Sequence, residues 1–271
     1  MKSLQLKMQG IHKPYGLVKR IWLYCQFRLD AKSWRSVHSP FIFEFAKHVA
    51  TAKLNKSQFE AIERLRAKLK RDKTPVTFKD YGADGAERTK TIAQIARHSA
   101  KAKKQCETLA KIVQCISPNV ALELGTSLGI SYAYMATASP NATFSTIEGG
   151  ETIAEAASKN LSDLGIFGNI QVGKFDDKLS QVLEQLGSID FAFVDGNHQL
   201  TSTLHYFNAI SKHMMANGCI IFDDIYWSEG MTEAWNRIHS DKRVSLSIDC
   251  FHFGIVFFRE GVKKQHFKLN L

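Results

Sequence analysis

Two rhythms of apolar residues divide the sequence. Over residues 1–75 the apolar positions recur at helical spacing among many cations. Residues 41–49 (FIFEFAKHV) and 59–69 (FEAIERLRAKL) each place an apolar stripe on one face, which predicts amphipathic helices. Pro40 is tolerated in the first turn of the former. Residues 74–90 (TPVTFKDYGADGAERTK) gather glycine, proline and aspartate, which predicts a loop. One further helix is expected over 91–116, ended by Ser117-Pro118. From Asn119 the rhythm changes. Short apolar runs at 120–125, 143–148, 170–175, 189–195 and 219–224 read as strands, separated by helices at 129–138, 151–164, 177–186, 200–215 and 229–240. Two closing strands, 245–249 and 254–259, stand too close in sequence for a crossover and must form a hairpin. The whole reads as an α/β fold with a doubly wound, mostly parallel sheet covered on both faces, preceded by an α-helical region. The expected division is a basic helical segment over 1–90 and a second domain over 91–271.

Composition adds little until it is split. The 271 residues are 44% hydrophobic and 23% charged, ordinary for a globular chain. The net charge of +10 admits nucleic acid, anionic lipid or an acidic ligand. Residues 1–118 hold 25 Lys and Arg against 9 Asp and Glu, while 119–271 hold 11 against 17. All the excess positive charge therefore lies in the helical region, and the alternating region is acidic. Within the former, 19–28 (KRIWLYCQFR) interleaves aromatics with cations. The expectation is a helix docking its aromatic face on the rest of the protein, with a membrane surface as the alternative. The five cysteines, Cys25, Cys106, Cys115, Cys219 and Cys250, have no CxxC spacing and read as reduced. No secretory signal and no transmembrane segment is evident, so a cytoplasmic protein is expected.

In doubly wound sheets ligands bind beyond the carboxyl ends of the strands. The first strand ends in Glu123-Leu-Gly125-Thr126-Ser127-Leu-Gly129-Ile-Ser131. Glycines directly after the strand and at the helix start let a ligand approach the backbone, where free N–H groups receive a carboxylate or phosphate. The second strand ends in Glu148-Gly149, with Glu148 placed to accept ribose hydroxyls. Together these point to a nucleoside cofactor. Ser127 and Ile130 stand where a dinucleotide fingerprint needs glycine, and no Gly-Lys-Ser/Thr loop occurs, which excludes both of those motifs. Three carboxylates, Asp195, Asp223 and Asp224, end the fourth and fifth strands; their repulsion would be relieved by a hard divalent cation, Mg2+ for example.

The segment ELGTSLGIS resembles motif I of class I S-adenosylmethionine-dependent methyltransferases, in the ExGxxxGxS form of the catechol and caffeoyl-CoA O-methyltransferases. The resemblance covers about residues 119–260 and implies a seven-stranded Rossmann-like sheet whose final strand inserts beside the fifth. It implies that Glu123, Gly125, Thr126, Ser127 and Gly129 shape the pocket beside the methionine part and that Ser131 binds its carboxylate. Glu148 with Gly149 would hold the ribose, and Phe175 and Asp176 would flank the adenine. Asp195 would serve cofactor and metal alike. Asp195, Asp223 and Asp224 fall on the metal positions of the family, with Asp224 replacing Asn, and Trp227 falls on its tryptophan. Where the family commonly carries a lysine base, this sequence has His198, suited to take a hydroxyl proton near neutral pH.

The expected activity is therefore methyl transfer from S-adenosylmethionine to a hydroxyl of a small molecule, assisted by a divalent metal. Acceptor contacts are expected from residues 80–84, Tyr226, Trp227 and Met231, and a homodimer is admitted. Two other readings stay open. One is a methyltransferase acting on RNA or protein through the basic segment, although no nucleic-acid-binding motif supports it. The other is a non-catalytic cofactor-binding module.

Overall fold

The structure, a computed structural model, describes residues 13–81 and 85–271. In chain order these form α1 (Leu17–Asp30), a short 3-10 turn (Trp34–Ser36), α2 (Pro40–Thr51), α3 (Lys56–Leu69), β1 (Pro75–Lys79), β2 (Glu87–Thr91), α4 (Ile92–His98) and α5 (Lys103–Ile116). Alternation then runs β3 (Val120–Leu124), α6 (Ile130–Ala138), β4 (Thr143–Glu148), α7 (Glu151–Asp163), β5 (Asn169–Val172) and α8 (Phe175–Leu186). It continues with β6 (Ile189–Val194), α9 (Leu200–Ser211), β7 (Met214–Asp223) and α10 (Glu229–Ser240). β8 (Leu246–Asp249), β9 (Phe253–Phe257) and β10 (Gln265–Lys268) follow.

The strands join a mostly parallel sheet of eight in the order β10-β8-β9-β7-β6-β3-β4-β5. The closing hairpin is present, and β9 lies between β8 and β7, antiparallel to both. Three expectations need correction. The sheet has eight strands rather than seven, because β10 (QHFK) adds parallel to β8 as an edge strand. Its polar residues gave no apolar run to read. Residues 74–90 are also more than a loop: β1 and β2 pair antiparallel, with the Thr77 and Thr89 hydroxyls 2.8 Å apart across them. The helix expected over 91–116 is two helices. α4 opens on a Thr91/Gln94 capping box, and before α5 the backbone turns the Lys101 carbonyl onto the buried Arg66 guanidinium.

The described chain clusters into two compact units, 47–189 and 13–46 with 190–271. In the first, α3 buries Phe59, Ile62, Leu65, Arg66 and Leu69 along one face. Phe59 stacks on Tyr134 of α6, with ring centroids 4.9 Å apart. Tyr134 donates to Glu63, which pairs with Arg66 at 2.9 Å, and Arg66 reaches Cys106 of α5. β3, β4 and β5 are parallel, and β3 is buried over Ala121–Leu124.

In the second unit, β9 is buried throughout and Trp235 of α10 lies flat against it at Gly254. α1 rests through Tyr24 and Phe27 on Phe251, at centroid distances of 5.0 and 5.6 Å. Phe41 and Phe45 of α2 pack edge-on against Phe257. Lys32 bridges Leu269 beyond β10, and Lys268 pairs with Asp30 at 3.1 Å. None of the helices formed by the described residues is long and apolar enough to cross a membrane.

Candidate active site

The unit of residues 47–189 folds the motif after β3 into a tight turn. Gly125 (φ 100°), Ser127 (φ 47°) and Gly129 (φ 81°) all adopt left-handed backbone. A Cβ at Gly129 would also come within 3.3 Å of Leu161, so glycine is required there twice over. The turn is wired to the end of β4: Ser127 N–H donates to Glu148 Oε2 at 2.8 Å, and Gly150 N–H donates to Oε1 at 2.9 Å. Burial pushes the Glu148 carboxyl above its ordinary value, opposed by those backbone donors.

Behind the turn, Glu123 is fully buried, with Ser131 Oγ donating to one oxygen at 2.6 Å and Thr146 Oγ1 to the other at 2.8 Å. Thr146 in turn meets Thr126, the hydroxyls 2.6 Å apart. Ser131 thus orients Glu123, a bond the sequence reading did not foresee. Thr146, inside a strand, gave no signal in the sequence at all. Phe175 and Asp176 open α8 instead of ending the third strand, which stops at Val172. Phe175 is half-buried and Asp176 is exposed.

The β1–β2 hairpin adds a cover that the sequence reading missed. A Cβ on Gly149 would lie 3.0 Å from the Tyr81 ring, and one on Gly150 would lie 3.2 Å from Phe78. Lys174 holds its ammonium 5.1 Å from the centroid of Tyr81, and Thr152 donates to the Thr77 carbonyl. Tyr81 therefore sits directly over the Glu148-Gly149 strand end. Of the expected acceptor segment, Asp80 pairs with Arg88 at 3.3 Å, and residues 82–84 lie outside the described residues.

In the other unit, Asp195 follows β6 and Asp223 ends β7. Together with His198 they bring ligand atoms within 4.8 Å of one another. His198 Nε2 lies 3.8 Å from Asp195 Oδ1, and its ring sits 6.3 Å from that of Trp227. Asp224 is not in this group; it takes a left-handed turn (φ 51°) with its N–H on the His252 carbonyl. That turn separates its backbone direction from that of Asp223. Tyr226 is engaged elsewhere, donating to Asp249 and stacking on Phe251. Met231 is buried and receives the Thr203 hydroxyl at its sulfur.

Residues 122–225 match a methyltransferase-domain family. An uncharacterized protein of Acanthamoeba polyphaga mimivirus is 34% identical over 95 residues, which is 32% of this chain and 43% of that protein, so the match spans less than half of the relative's length. An O-methyltransferase from Bacillus cereus, solved with S-adenosylhomocysteine, superposes with a TM-score of 0.54 at 19% identity, covering 79% of this chain and 94% of that one. An O-methyltransferase of tomaymycin synthesis from Streptomyces achromogenes, solved with S-adenosylmethionine, gives 0.52 at 19% identity over 76% and 100%. Residues 122–225 are thus similar to a methyltransferase-domain family, and the alternating sheet with its antiparallel hairpin places the chain in a known fold. Its fold is the one shared by these O-methyltransferases.

Proposed function

We propose that this protein transfers a methyl group from S-adenosylmethionine to a hydroxyl of a small molecule. The observation that carries the reading is the turn at 125–129 tied through Ser127 N–H to Glu148. It preorganises a carboxylate beside a tight turn and a helix start. The residues fit the cofactor. Ser127 Oγ is buried without a hydrogen-bond partner among the described residues, and the glycines leave no room for side chains between the turn and its neighbours.

In this reading Gly125, Thr126, Ser127 and Gly129 line the methionine side, Glu148 and Gly149 hold the ribose, and Phe175 and Asp176 flank the base. Glu123, held by Ser131 and Thr146, fixes the wall behind the turn. When bound, S-adenosylmethionine supplies an electrophilic methyl group on a positively charged sulfur. The chain's part is to hold the acceptor in line, exclude water and remove one proton.

The Asp195 and Asp223 carboxylates, with oxygens within 4.8 Å of each other, suit a divalent cation, which would lower the pKa of an acceptor hydroxyl. Asp224 is a less favoured ligand because it stands outside the group. His198 is assigned the proton-accepting role. Residues 91–271 then carry the reaction, and residues 1–90 supply cover and docking surface.

Calorimetry with S-adenosylmethionine tests the shared premise: no binding at any concentration used would sink the reading. Methyl transfer to a panel of catechols and phenols is then measured with and without Mg2+. His198→Ala is expected to cut turnover by about 100-fold or more with cofactor affinity unchanged. If it weakens metal binding instead, His198 is a ligand and not the base. Activity undiminished by EDTA removes the metal from the mechanism.

A further inference from the structure

The cation-and-aromatic helix α1 divides sharply into two sides. One side is packed: Phe27 is buried, Tyr24 and Phe27 rest on Phe251, and the Arg20 guanidinium lies 5.2 Å from the Trp227 ring centroid. The other side faces outward. Leu17 is 73% exposed, Val18 83%, Ile21 54%, Trp22 49% and Leu29 87%. Positions 17, 21, 25 and 29 fall one turn apart, with 18 and 22 alongside, so these side chains and the exposed Cys25 form one continuous stripe. Among the described residues the other exposed large apolar side chains are Tyr24, at 42% on the edge of the packed side, and Phe167, Val172, Met215 and Val262, none of which belongs to this helix except Tyr24. A contiguous stripe of this kind marks an interaction surface.

Charge decides what the stripe meets. Lys19 Nζ stands 4.1 Å from the Trp22 ring centroid, and Arg28 lies within the same sector of the helix. The helix itself carries Lys19, Arg20 and Arg28 against Asp30. A second copy seated symmetrically on this face would oppose like charges. An anionic surface complements them, and tryptophan and cation-flanked aliphatic side chains suit the boundary between lipid headgroups and acyl chains.

We propose that α1 is an interfacial helix that seats the protein on an anionic phospholipid membrane. Its mounting is built to transmit contact. Tyr15 N–H donates to the Trp227 carbonyl and Pro14 bridges Ser228. Trp227 thereby neighbours both Arg20 of the helix, at 5.2 Å, and His198 of the donor cluster, at 6.3 Å. The docking surface adjoins the residues assigned to the acceptor, although the inference stands on the helix alone and not on the assigned chemistry.

The test is co-sedimentation of the full chain with vesicles of phosphatidylcholine alone or with about one third phosphatidylglycerol. Binding to the anionic vesicles is expected, reduced by salt at roughly 0.5 M. The double variant Ile21→Asp/Trp22→Asp is expected to lose about tenfold or more of that binding. Its thermal midpoint should be unchanged, because both side chains are exposed. Failure of the wild type to sediment with either vesicle overturns the proposal, as does binding that survives the double variant. A wild-type dimer that the double variant converts to monomer, without vesicle binding, assigns the stripe to a second copy and overturns it as well.

Discussion

Glu148 shows how much one side chain can carry. It ends a strand, closes a turn across to Ser127 and Gly150, and is half-buried while doing so. Glu148→Ala is expected to weaken S-adenosylmethionine binding by about 10- to 100-fold, the range for losing hydrogen bonds to a charged group. Calorimetry reads it directly, and unchanged affinity would remove Glu148 from the ribose role. At this scale the sequence was informative where chemistry and turn geometry coincide. Gly125 and Gly129 announce left-handed backbone, and a carboxylate at a strand end announces a ligand. Thr146 was not legible, and Tyr81 was read only as part of the acceptor segment 80–84, not as a cover on Gly149. A threonine in a strand is ordinary, and Tyr81 acquires its meaning only from a contact with Gly149, 68 residues away.

At the scale of elements, alternation of apolar runs made β3 to β7 and the β8–β9 hairpin readable, because buried parallel strands are nearly continuous apolar segments. β1, β2 and β10 escaped because their exposed residues are polar, and strand identity there comes from pairing partners. Two predictions concern how elements join. Gly254 in β9 leaves room for the Trp235 ring of α10, and a Cβ there would fall 2.5 Å from it. Gly254→Ala should destabilise the protein by about 1–3 kcal/mol, the usual cost of overpacking, measurable by urea denaturation.

The second concerns β10. His266 stacks on His239 at 4.2 Å and meets the Ser247 hydroxyl at 2.8 Å. Although His266 is exposed at the sheet edge, desolvation of its ring first, and the neighbouring His239 second, hold its pKa down to about 4. The unfolded chain takes up that proton near pH 6.5, so the unfolded state binds more protons between the two values. Stability is therefore full above about pH 6.5 and declines as pH falls toward 4. His266→Gln should make that decline shallower in urea midpoints followed against pH. Part of the effect is lost to solvent screening along the exposed edge strand.

For the whole molecule, the net charge describes neither half of the sequence, and only the split between residues 1–118 and 119–271 is useful. The sequence order also hides how the chain is partitioned. Residues 13–46 cluster with 190–271, and 47–189 form their own unit. Periodicity is local and cannot report a unit assembled from distant segments. The ties are specific: Arg28 to Asn270, Asp30 to Lys268, and Lys32 to both Lys268 and Asn270. Deleting residues 264–271 should lower the thermal midpoint and raise hydrogen exchange in α1, while exchange in α5 stays as it was. Equal protection of α1 in the truncated chain would contradict this.

The same partition governs the order of events during synthesis. Segments emerge from the ribosome in sequence at about 5–20 residues per second. Residues 47–189 can close on themselves while the rest is still being made. The early segment 13–46 has no such option, since the strands and loops it packs on are translated after residue 189. Its apolar helix therefore spends the whole intervening period without its folded partners. The nascent chain is most open to chaperones, or to premature capture by a surface, in that interval.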